Sequence, residues 1–582
     1  MLSLRTDQRG LFESDHLWLD HVGRNSFYGF LANQRGELFK DEEFAELYSR
    51  DWGRPSVPPS LLATALLLQI HDRVSDEEAR QRAAFDLRWK VALGLEVEER
   101  PFAKSTLQLF RAQLILHEKM RLPFERSLEV ARRRGFLKAE RKLRLALDTT
   151  AVLGQGAIKD TFNLLADGNA KLIRELAQQD GQKPQRWAEK RGWSRYFGTS
   201  IKGEAELDWS DPGQRNQFLK GLVEDAERLL ELARLACGRV PEGSRAEHRL
   251  LAASQLLGQL LLQDVERKAD GEVSIRRGTS GERIPSVHDP EIRHGRKSQT
   301  VRFDGHKLGL AVDTEAQLIT AVDIMAGSAK DDEDALTLVS ESAVATGLEV
   351  EQVLADSAYG SGENRLQFQA LGVDLVAKAP KRAEHDFFSK DRFEIDPEAV
   401  SCRCPAGQVT HNLVHKNSRQ PRFRFPAQTC SACPLRAQCY SPLSRRGREV
   451  TVHPQEQLLA QARARQRSPG FQKLWRHRQA VEHRVARLVQ LGMRQARYRG
   501  RRKTLFQALL TAAVANLTLV AAGVDPRTEL SGPESRNRSL RQISGAVSTA
   551  LTRLSSALLS RLGTSDAQPS RFFLKVAFRP DF

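Results

Sequence analysis

The chain has 582 residues, of which 40% are hydrophobic and 7% aromatic, so it can bury sizeable cores and is not a disordered polypeptide. Lys and Arg number 90 against 73 Asp and Glu, giving a formal net charge of +17. This excess favours a polyanionic partner such as nucleic acid, with an anionic membrane surface as the alternative. Six cysteines in so long a chain exclude a disulfide scaffold and indicate reduced thiols or metal ligands.

Two segments of the sequence indicate where in the cell the protein is expected. Residues 1–11 are charged and have no apolar stretch, so no secretory signal is expected there. Residues 504–524 lack charge and follow a basic run, as a transmembrane helix would. However, Gln507, Thr511, Asn516 and Thr518 recur through this segment, and no second one resembles it. We therefore predict a buried core helix and a cytoplasmic protein without a membrane partner.

The first 140 residues have helical patterns. Pro58-Pro59 precedes an apolar run and predicts a helix start. Ser75 and Ser105 each stand three residues before an acid or amide, which is the spacing of a capping box. Short capped helices on a basic chain are typical of a DNA-binding domain or of a helical packing module, and both interpretations stay open.

Apolar alternation from Leu143 to Asp148 predicts a strand that ends in an acid. Strands alternating with helices follow and predict an α/β sheet. The predicted strands cover residues 306–313, 318–325, 352–356 and 373–378, and the predicted helices between them cover 331–346 and 363–371. Helical patterns over residues 171–268 and 455–491 flank these strands.

This pattern predicts seven segments in chain order. They are a helical N-terminal domain expected to bind DNA (1–140), a first sheet strand (141–158), a helical insertion with a polar linker (159–299), the main strands and helices (300–385), a cysteine-bearing insertion (386–454), a basic helix with a closing core helix (455–524) and a peripheral tail (525–582) with an amphipathic stretch over 540–562.

Two acids follow apolar strands. Asp148 precedes a pair of threonines, and Asp356 follows Val353-Leu354-Ala355. A buried carboxylate is costly unless it is paired, and two on neighbouring strands would repel each other. A divalent cation such as Mg²⁺ resolves both problems, because it prefers carboxylate oxygens. Each aspartate alone could instead cap the following turn.

A third acid stands inside a basic helical segment. Glu482 is the single acid among the many Lys and Arg residues of 461–503. Arg478 lies four residues earlier, so the two share a helix face and can pair. An apolar stripe that includes Val481 and Leu488 can bury against the sheet. The helix could thus present Glu482 to a metal and its arginines to phosphates, or Glu482 could merely neutralise its neighbours.

Five cysteines cluster within a short stretch: Cys402, Cys404, Cys430, Cys433 and Cys439. A Cys-x-x-Cys pair beside further cysteines has ligand spacing for a structural Zn²⁺. Five candidates exceed the four ligands that zinc needs. Reduced thiols that pack a small subdomain are the alternative.

The three acid motifs read Leu147-Asp148-Thr149-Thr150, Leu354-Ala355-Asp356-Ser357-Ala358-Tyr359-Gly360 and Arg478-x-x-x-Glu482. In this order they resemble the DDE-type transposases of bacterial insertion sequences, in the branch with a Cys-Pro-Leu-Arg segment. Shorter motifs support the resemblance from about residue 38 to residue 516, namely Gly53-Arg54-Pro55, Ser75-Asp76, Phe110-Arg111, Asp289-Pro290-Glu291, Asp304-Gly305-His306-Lys307 and the segment from Gly492 to Lys503. Two positions depart from the family pattern: Trp475 stands for its Tyr and Val489 for its Lys.

The resemblance implies a ribonuclease-H-like mixed sheet, interrupted by a helical and a cysteine-bearing insertion and preceded by an all-α domain. It implies catalytic, metal-binding roles for Asp148, Asp356 and Glu482 with Mg²⁺ or Mn²⁺. The implied activity is to cleave DNA at the chain's own terminal inverted repeats and to join the 3′-hydroxyl ends to target DNA. An inactive DNA-binding derivative and a nuclease without strand transfer are the alternatives.

The implied partner is double-stranded DNA, bound by at least a homodimer, because two DNA ends must be held together. The residues expected to contact DNA are Arg478, Arg494, Arg497, Tyr498, Arg499, Arg501, Arg502 and Lys503. Arginines would hold phosphates, and Tyr498 would offer a stacking surface.

Overall fold

The computed structural model describes residues 1–5, 14–49, 52–268, 271–298, 300–380, 387–396, 398–415, 420–441 and 446–523. The predicted peripheral tail, residues 525–582 with its amphipathic stretch, lies outside the described residues. The N-terminal helices are α1 (Ser14–Val22), α2 (Phe27–Leu38), α3 (Pro59–Asp72), α4 (Asp76–Phe85), α5 (Leu87–Leu93), α6 (Lys104–Leu116) and α7 (Leu122–Arg133).

The starts of these helices follow local chemistry. Pro59 is the first residue of α3, as predicted, because a helix needs no N–H at that position. The Ser75 hydroxyl accepts a hydrogen bond from the Glu78 N–H at 3.2 Å and caps α4, also as predicted. The prediction for Ser105 was wrong: the N-cap of α6 is Ala103, two residues earlier, so Ser105 lies inside the first turn.

The strands are β1 (Leu143–Leu153), β2 (Val265–Arg267), β3 (Val273–Ile275), β4 (Arg293–Arg296), β5 (Arg302–Asp313), β6 (Ile319–Ala326), β7 (Val350–Ala355), β8 (Asp374–Ala377), β9 (Glu394–Asp396), β10 (Ser401–Arg403), β11 (Val409–Thr410), β12 (Leu413–Val414), β13 (Arg422–Arg424) and β14 (Glu449–Thr451). The remaining helices are α8 (Thr161–Gln179), α9 (Pro184–Glu189), α10 (Pro212–Cys237), α11 (Arg245–Asp264), α12 (Ala335–Thr346), α13 (Gly362–Ala370), α14 (Ala427–Ser431), α15 (Arg436–Cys439), α16 (Glu456–Gln466), α17 (Pro469–Trp475), α18 (Gln479–Leu488) and α19 (Arg501–Ala521).

A six-stranded mixed sheet forms the centre of the fold, in the order β4-β5-β1-β7-β8, with β6 also paired to β5. Strand β1 is antiparallel to β5 and parallel to β7, and β7 is parallel to β8. With helices before and around it, this sheet confirms the predicted α/β, ribonuclease-H-like class. Strand β1 does not end at Asp148 as predicted but continues to Leu153, because β5 still pairs with it after β7 has separated.

One apolar cluster runs from the N-terminal helices through the sheet to α19. Helix α19 is long and apolar enough to cross a membrane, yet most of it is buried in this cluster, which confirms the predicted core helix. Its polar residues are used: the Asn516 amide accepts from the Ile319 N–H and donates to the Ile319 carbonyl, both at 2.9 Å. Asn516 thereby satisfies the first residue of strand β6.

The helical insertion has an apolar core of its own, formed by α8 to α11 and the β2–β3 pair. Helix α8 begins at Thr161, earlier than the predicted helical pattern, because the Asp160 carboxylate accepts from the Phe162 and Asn163 N–H groups and caps it. The polar linker after α11 was not predicted to form strands. It contains β3 and also β4, which adds to the edge of the main sheet beside β5.

The cysteine-bearing insertion is built on two three-stranded sheets, β11-β10-β9 and β12-β13-β14, around a small aromatic core. After it, the predicted helical pattern over 455–491 is divided into α16, α17 and α18. The Ser468 hydroxyl caps α17 and Pro469 follows it, so one helix ends and another begins at this point. A 3₁₀ turn over Arg476–Arg478 then separates α17 from α18.

Candidate active site

Asp148 and Asp356 lie near each other where two parallel strands separate. The register pairs Ala146 of β1 with Leu354 of β7. Each acid is two residues beyond this pair, Asp148 within β1 and Asp356 directly after β7, so the two carboxylates occupy equivalent positions. Burial raises the pKa of Asp148; the Arg478 guanidinium opposes this rise, and the charge of Asp356 adds to it. The raised pKa of Asp148 therefore shows that the two carboxylates lie close together in a partly buried site.

Arg478 joins the third acid to the first. Its Nη1 donates to Asp148 Oδ2 at 3.0 Å and its Nη2 donates to Glu482 Oε1 at 2.6 Å. The Arg478 side chain is 13% exposed, while Asp148 is 24% and Glu482 51% exposed. The predicted pairing of Arg478 with Glu482 is thus present, and the same guanidinium brings Glu482 to the side of the sheet where Asp148 lies.

Asp356 also shapes the turn that follows it. Its Oδ1 accepts from the Ala358 N–H at 2.8 Å, as in the capping alternative raised from the sequence. That turn leads Tyr359 into the interior, fully buried and with no hydrogen-bond partner for its hydroxyl among the described residues. Burial raises the pKa of Tyr359 well above its ordinary value, and the nearby carboxylates of Asp334 and Asp148 raise it further.

A run of acids after β6 forms part of the same neighbourhood and was missed in the sequence. The Asp331 carboxylate accepts from the Thr149 hydroxyl at 2.9 Å and from the Lys307 ammonium at 2.7 Å. Asp332 accepts from the Asn364 amide at 2.8 Å. These bonds hold residues 331–334 in a turn, so α12 begins at Ala335 and not at 331 as predicted. Successive acids directly after a strand were the signal that could have revealed them.

Asp334 is the most unusual member of this run. Its side chain is buried, and neither carboxylate oxygen has a hydrogen-bond partner among the described residues. It packs against Gly309 of β5, where an added Cβ would stand 1.6 Å from Asp334 Oδ2. Burial, followed by the charge of Asp323, raises the pKa of Asp334 to about 7. Only glycine at position 309 leaves room for this carboxyl group.

Trp475 anchors the helical segment that carries Arg478 and Glu482. Its Nε1 donates to the carbonyl of Ala355, the residue before Asp356, at 3.1 Å. Leu354, Val376, Phe471, Leu474 and Trp475 form one apolar cluster. In α18, Val481 and Leu488 are fully buried, as the predicted apolar stripe requires. The tryptophan that departs from the family pattern therefore fixes the helical segment to the end of β7.

The three acids form a donor set suited to a hard cation. Carboxylate oxygens are the ligands that Mg²⁺ and Mn²⁺ prefer. Across the described ranges, however, no three His, Cys, Asp or Glu side chains are already gathered as a metal site. The Arg478 guanidinium neutralises Asp148 and Glu482 instead. The guanidinium contacts one oxygen of each carboxylate, so both carboxylates keep lone pairs that could bind a divalent cation.

Comparison with known families adds an independent line of evidence. A family model described as Transposase DDE domain matches residues 403–521, which include Glu482, and one described as Transposase domain (DUF772) matches residues 20–113. Both matches support a DDE-type transposase of an insertion sequence. Asp148 and Asp356 lie outside both matched ranges, so their assignment depends on the sheet geometry. No curated protein and no solved structure matches the chain.

Several of the predicted DNA-binding arginines of the transposase already have partners within the chain. Arg494 donates to the Ala151 carbonyl at 3.1 Å and to the Thr150 hydroxyl at 3.3 Å. Arg497 donates to the Val74 carbonyl at 2.8 Å. Arg502 donates to the Ile115 carbonyl at 2.6 Å and pairs with Glu118. These contacts join the segment after α18 to β1 and to the N-terminal helices.

The other members of that predicted set differ in exposure. Tyr498 is partly buried with the Arg111 guanidinium 5.9 Å from its ring centroid, and burial raises its pKa. The Arg501 N–H donates to Glu291, in the motif that begins at Asp289. Arg499 and Lys503 are exposed. The segment is therefore partly a structural junction, with exposed cations between the anchored ones.

The five clustered cysteines divide into a group of four and a single residue. Cys404, Cys430, Cys433 and Cys439 line one pocket, together with aromatic and apolar side chains. Burial raises the pKa of Cys439; the Arg448 guanidinium opposes this rise, and the other three cysteines of the pocket add to it. The five cysteines of the cluster are all free thiols.

Cys402 is set apart from that pocket. It is fully buried in the aromatic core of the insertion, beside Phe423 and Phe425. Burial raises the pKa of its thiol to about 12. A thiol that resists ionisation is a poor metal ligand, since zinc binds the thiolate.

Proposed function

We propose that this transposase binds the terminal inverted repeats of its own insertion sequence, cleaves them by metal-dependent phosphodiester hydrolysis and joins the freed 3′-hydroxyl ends to target DNA. The observation that carries the proposal is the placement of the acids. Asp148 and Asp356 occupy equivalent positions on adjacent parallel strands, and Arg478 connects Asp148 to Glu482.

Asp148, Asp356 and Glu482 would hold Mg²⁺ or Mn²⁺. When bound, such ions would supply activation of the attacking water and stabilisation of the leaving oxygen of a phosphodiester. The protein supplies position and charge. Trp475 fixes the Glu482 segment to β7, and Arg478 holds Asp148 and Glu482 on the same side of the sheet, where its guanidinium could also contact a phosphate. No covalent protein–DNA intermediate is required.

We expect DNA binding to require exposed cationic side chains and more than one copy of the chain. Arg499 and Lys503 lie exposed between anchored residues of the segment after α18 and are placed to contact phosphates. Joining two element ends requires both to be held at once, so we propose at least a homodimer in the complex with DNA. Such a complex forms in the cytoplasm, on the bacterial chromosome.

Cleavage of the DNA that flanks the gene tests the function. Duplexes carrying inverted repeats from either side of the gene should be cut in the presence of Mg²⁺, and duplexes of scrambled sequence should not. Pre-cut ends should then be joined to a target plasmid. Cutting without joining would indicate a nuclease, and specific binding without cutting by the wild-type protein would indicate an inactive derivative.

We also propose a structural Zn²⁺ bound by Cys404, Cys430, Cys433 and Cys439. The support is that these four thiols line a single pocket and include the Cys430-x-x-Cys433 pair. Their side chains would have to converge on the ion, because they are not gathered as a metal site without it.

Metal analysis of the purified transposase tests this assignment. Mass spectrometry should detect about one zinc per chain. Cys433→Ser should lower that content and expose the insertion to proteolysis, whereas Cys402→Ala should retain the metal. Zinc-free protein with four freely reactive thiols would contradict the proposal and favour thiols that only pack the subdomain.

A further inference from the structure

We propose that Lys378 is a phosphate-binding residue of the active site and contacts the DNA strand held at the catalytic acids. This inference rests on the proposed function. Lys378 directly follows β8, and β8 is the parallel neighbour of β7. The register pairs Ala355 with Ala377, so Lys378 and Asp356 leave their strands at equivalent positions. The ammonium group therefore belongs to the same end of the sheet as the acids.

The Lys378 side chain is held in place by an aromatic ring. Its Nζ lies 3.8 Å from the centroid of the Trp475 ring, a favourable cation–π distance. Trp475 is itself fixed by its hydrogen bond to the Ala355 carbonyl. The Arg478 guanidinium lies 5.5 Å from the same ring centroid. One tryptophan thus positions two cations beside Asp356.

The two cations differ in their partners. Arg478 already pairs with two carboxylates, and other cations around this part of the sheet are also paired, namely Lys307 with Asp331 and Arg465 with Asp374. Within the described ranges, the Lys378 ammonium has no carboxylate at ion-pair distance and lies against the Trp475 ring. A ring face leaves the three N–H groups of the ammonium able to donate to another acceptor.

A phosphate oxygen is the acceptor that suits this position. Lysine binds phosphate as a compact point charge, and a strand held at Asp148 and Asp356 would bring its backbone phosphates to this end of the sheet. Because the ammonium is held beforehand by Trp475, little side-chain freedom is lost when it binds. The sequence alone does not single out this residue, because Lys378 belongs to no motif and other basic residues lie close to it in the chain.

Two variants and one control test the inference. Lys378→Met removes the charge and keeps an unbranched side chain against the ring, and Lys378→Arg restores a cation. The control is Lys142→Met. Lys142 precedes β1, at the opposite end of the sheet, and pairs with the exposed Glu349. DNA affinity is measured over a salt series, and cleavage of terminal-repeat duplexes is measured under single-turnover conditions with Mg²⁺.

Lys378→Met should reduce the slope of log K against log salt by about 0.9, the value for one lost phosphate contact. Single-turnover cleavage at saturating DNA should fall roughly 10- to 100-fold, as for the loss of a charge-assisted hydrogen bond. Lys378→Arg should recover most of this activity, and Lys142→Met should match the wild type in both measurements.

A purely structural role for Lys378 gives a different pattern. If the lysine only braces Trp475, Lys378→Met should change tryptophan fluorescence and lower the melting temperature while leaving the salt slope unchanged, and that result would overturn the inference. A wild-type protein that binds DNA without cutting it would defeat the proposed function instead, and the salt slope would still decide the role of Lys378.

Discussion

At one end of the central sheet Asp313 closes β5, and towards the other end Asp148 lies in β1 and Asp356 directly follows β7. Asp313 is fully buried and saturated: Arg141 donates to both of its oxygens, at 2.6 and 3.2 Å, and the Ala316 N–H donates at 2.7 Å. At the other end Asp148 and Asp356 are half-buried, and Asp148 shares the Arg478 guanidinium with Glu482. Sheets therefore tolerate acids in two ways, and only the incompletely paired acids retain lone pairs for a ligand.

The strongest test of this contrast is the loss of a charge at the open end. Asp356→Asn keeps the shape of the side chain and its turn but removes the charge that would hold a metal ion. Cleavage of terminal-repeat DNA should fall by roughly 10³-fold or more, since metal-ion catalysis contributes several kcal/mol. DNA affinity should stay within about twofold of the wild type, because phosphate contacts are made elsewhere. A mutant that cuts at the wild-type rate would make Asp356 a structural cap.

The closed end should respond in stability rather than in chemistry. Asp313→Ala leaves the half-buried Arg141 without its main partner and should cost about 3–5 kcal/mol in the free energy of unfolding. Urea denaturation measures this cost. The matched control is Glu315→Ala, which removes the half-exposed partner of the same Arg141 and should change stability by less than about 1 kcal/mol. Equal effects of the two substitutions would contradict the distinction.

Asp334 represents a third situation, a buried carboxyl group with no partner, and it makes stability depend on pH. Its pKa of about 7 lies above the ordinary value of 3.8, so the folded protein keeps a proton that the unfolded chain loses. This contribution to stability is complete below about pH 4 and is lost as the pH rises towards 7.

The expected loss amounts to a few kcal/mol between these limits. Asp334→Asn should remove it, so the mutant should gain stability relative to the wild type as the pH rises from 4 to 8. Urea unfolding at several pH values checks this. A constant difference between the two proteins over that range would show that Asp334 is ionised throughout.

The smallest effects concern the cations after α18. Arg499 is exposed, so Arg499→Ala should lower the salt slope of DNA binding by about 0.9 if it contacts one phosphate. Arg497 is bonded to the Val74 carbonyl, so Arg497→Ala should cost about 1 kcal/mol of stability and leave the slope unchanged. Titration of both single mutants across a salt series separates the anchored from the available cation.

The strands of the sheet, the core helix and the place of Asp148 and Asp356 near the ends of strands could be predicted from the sequence, because each depends on local periodicity. The pairing of Arg478 with Glu482 also followed from their spacing. By contrast, the contacts of Asp331 with Thr149 and Lys307 join residues far apart in the chain, and no local pattern encodes them. The division of the basic segment into anchored and exposed arginines could not be predicted either, because sequence spacing does not distinguish an arginine bonded within the chain from an exposed one.

The hydrogen bonds of Asn516 to Ile319 have a consequence for synthesis. The edge strand β6 and the apolar cluster beside the sheet both use α19, which the ribosome makes after all the other described helices and strands. A nascent chain that already contains Asp148, Asp356 and Glu482 would still lack this helix. The sheet would then be completed only late in translation, so an interrupted polypeptide would carry the acids without the fold that aligns them.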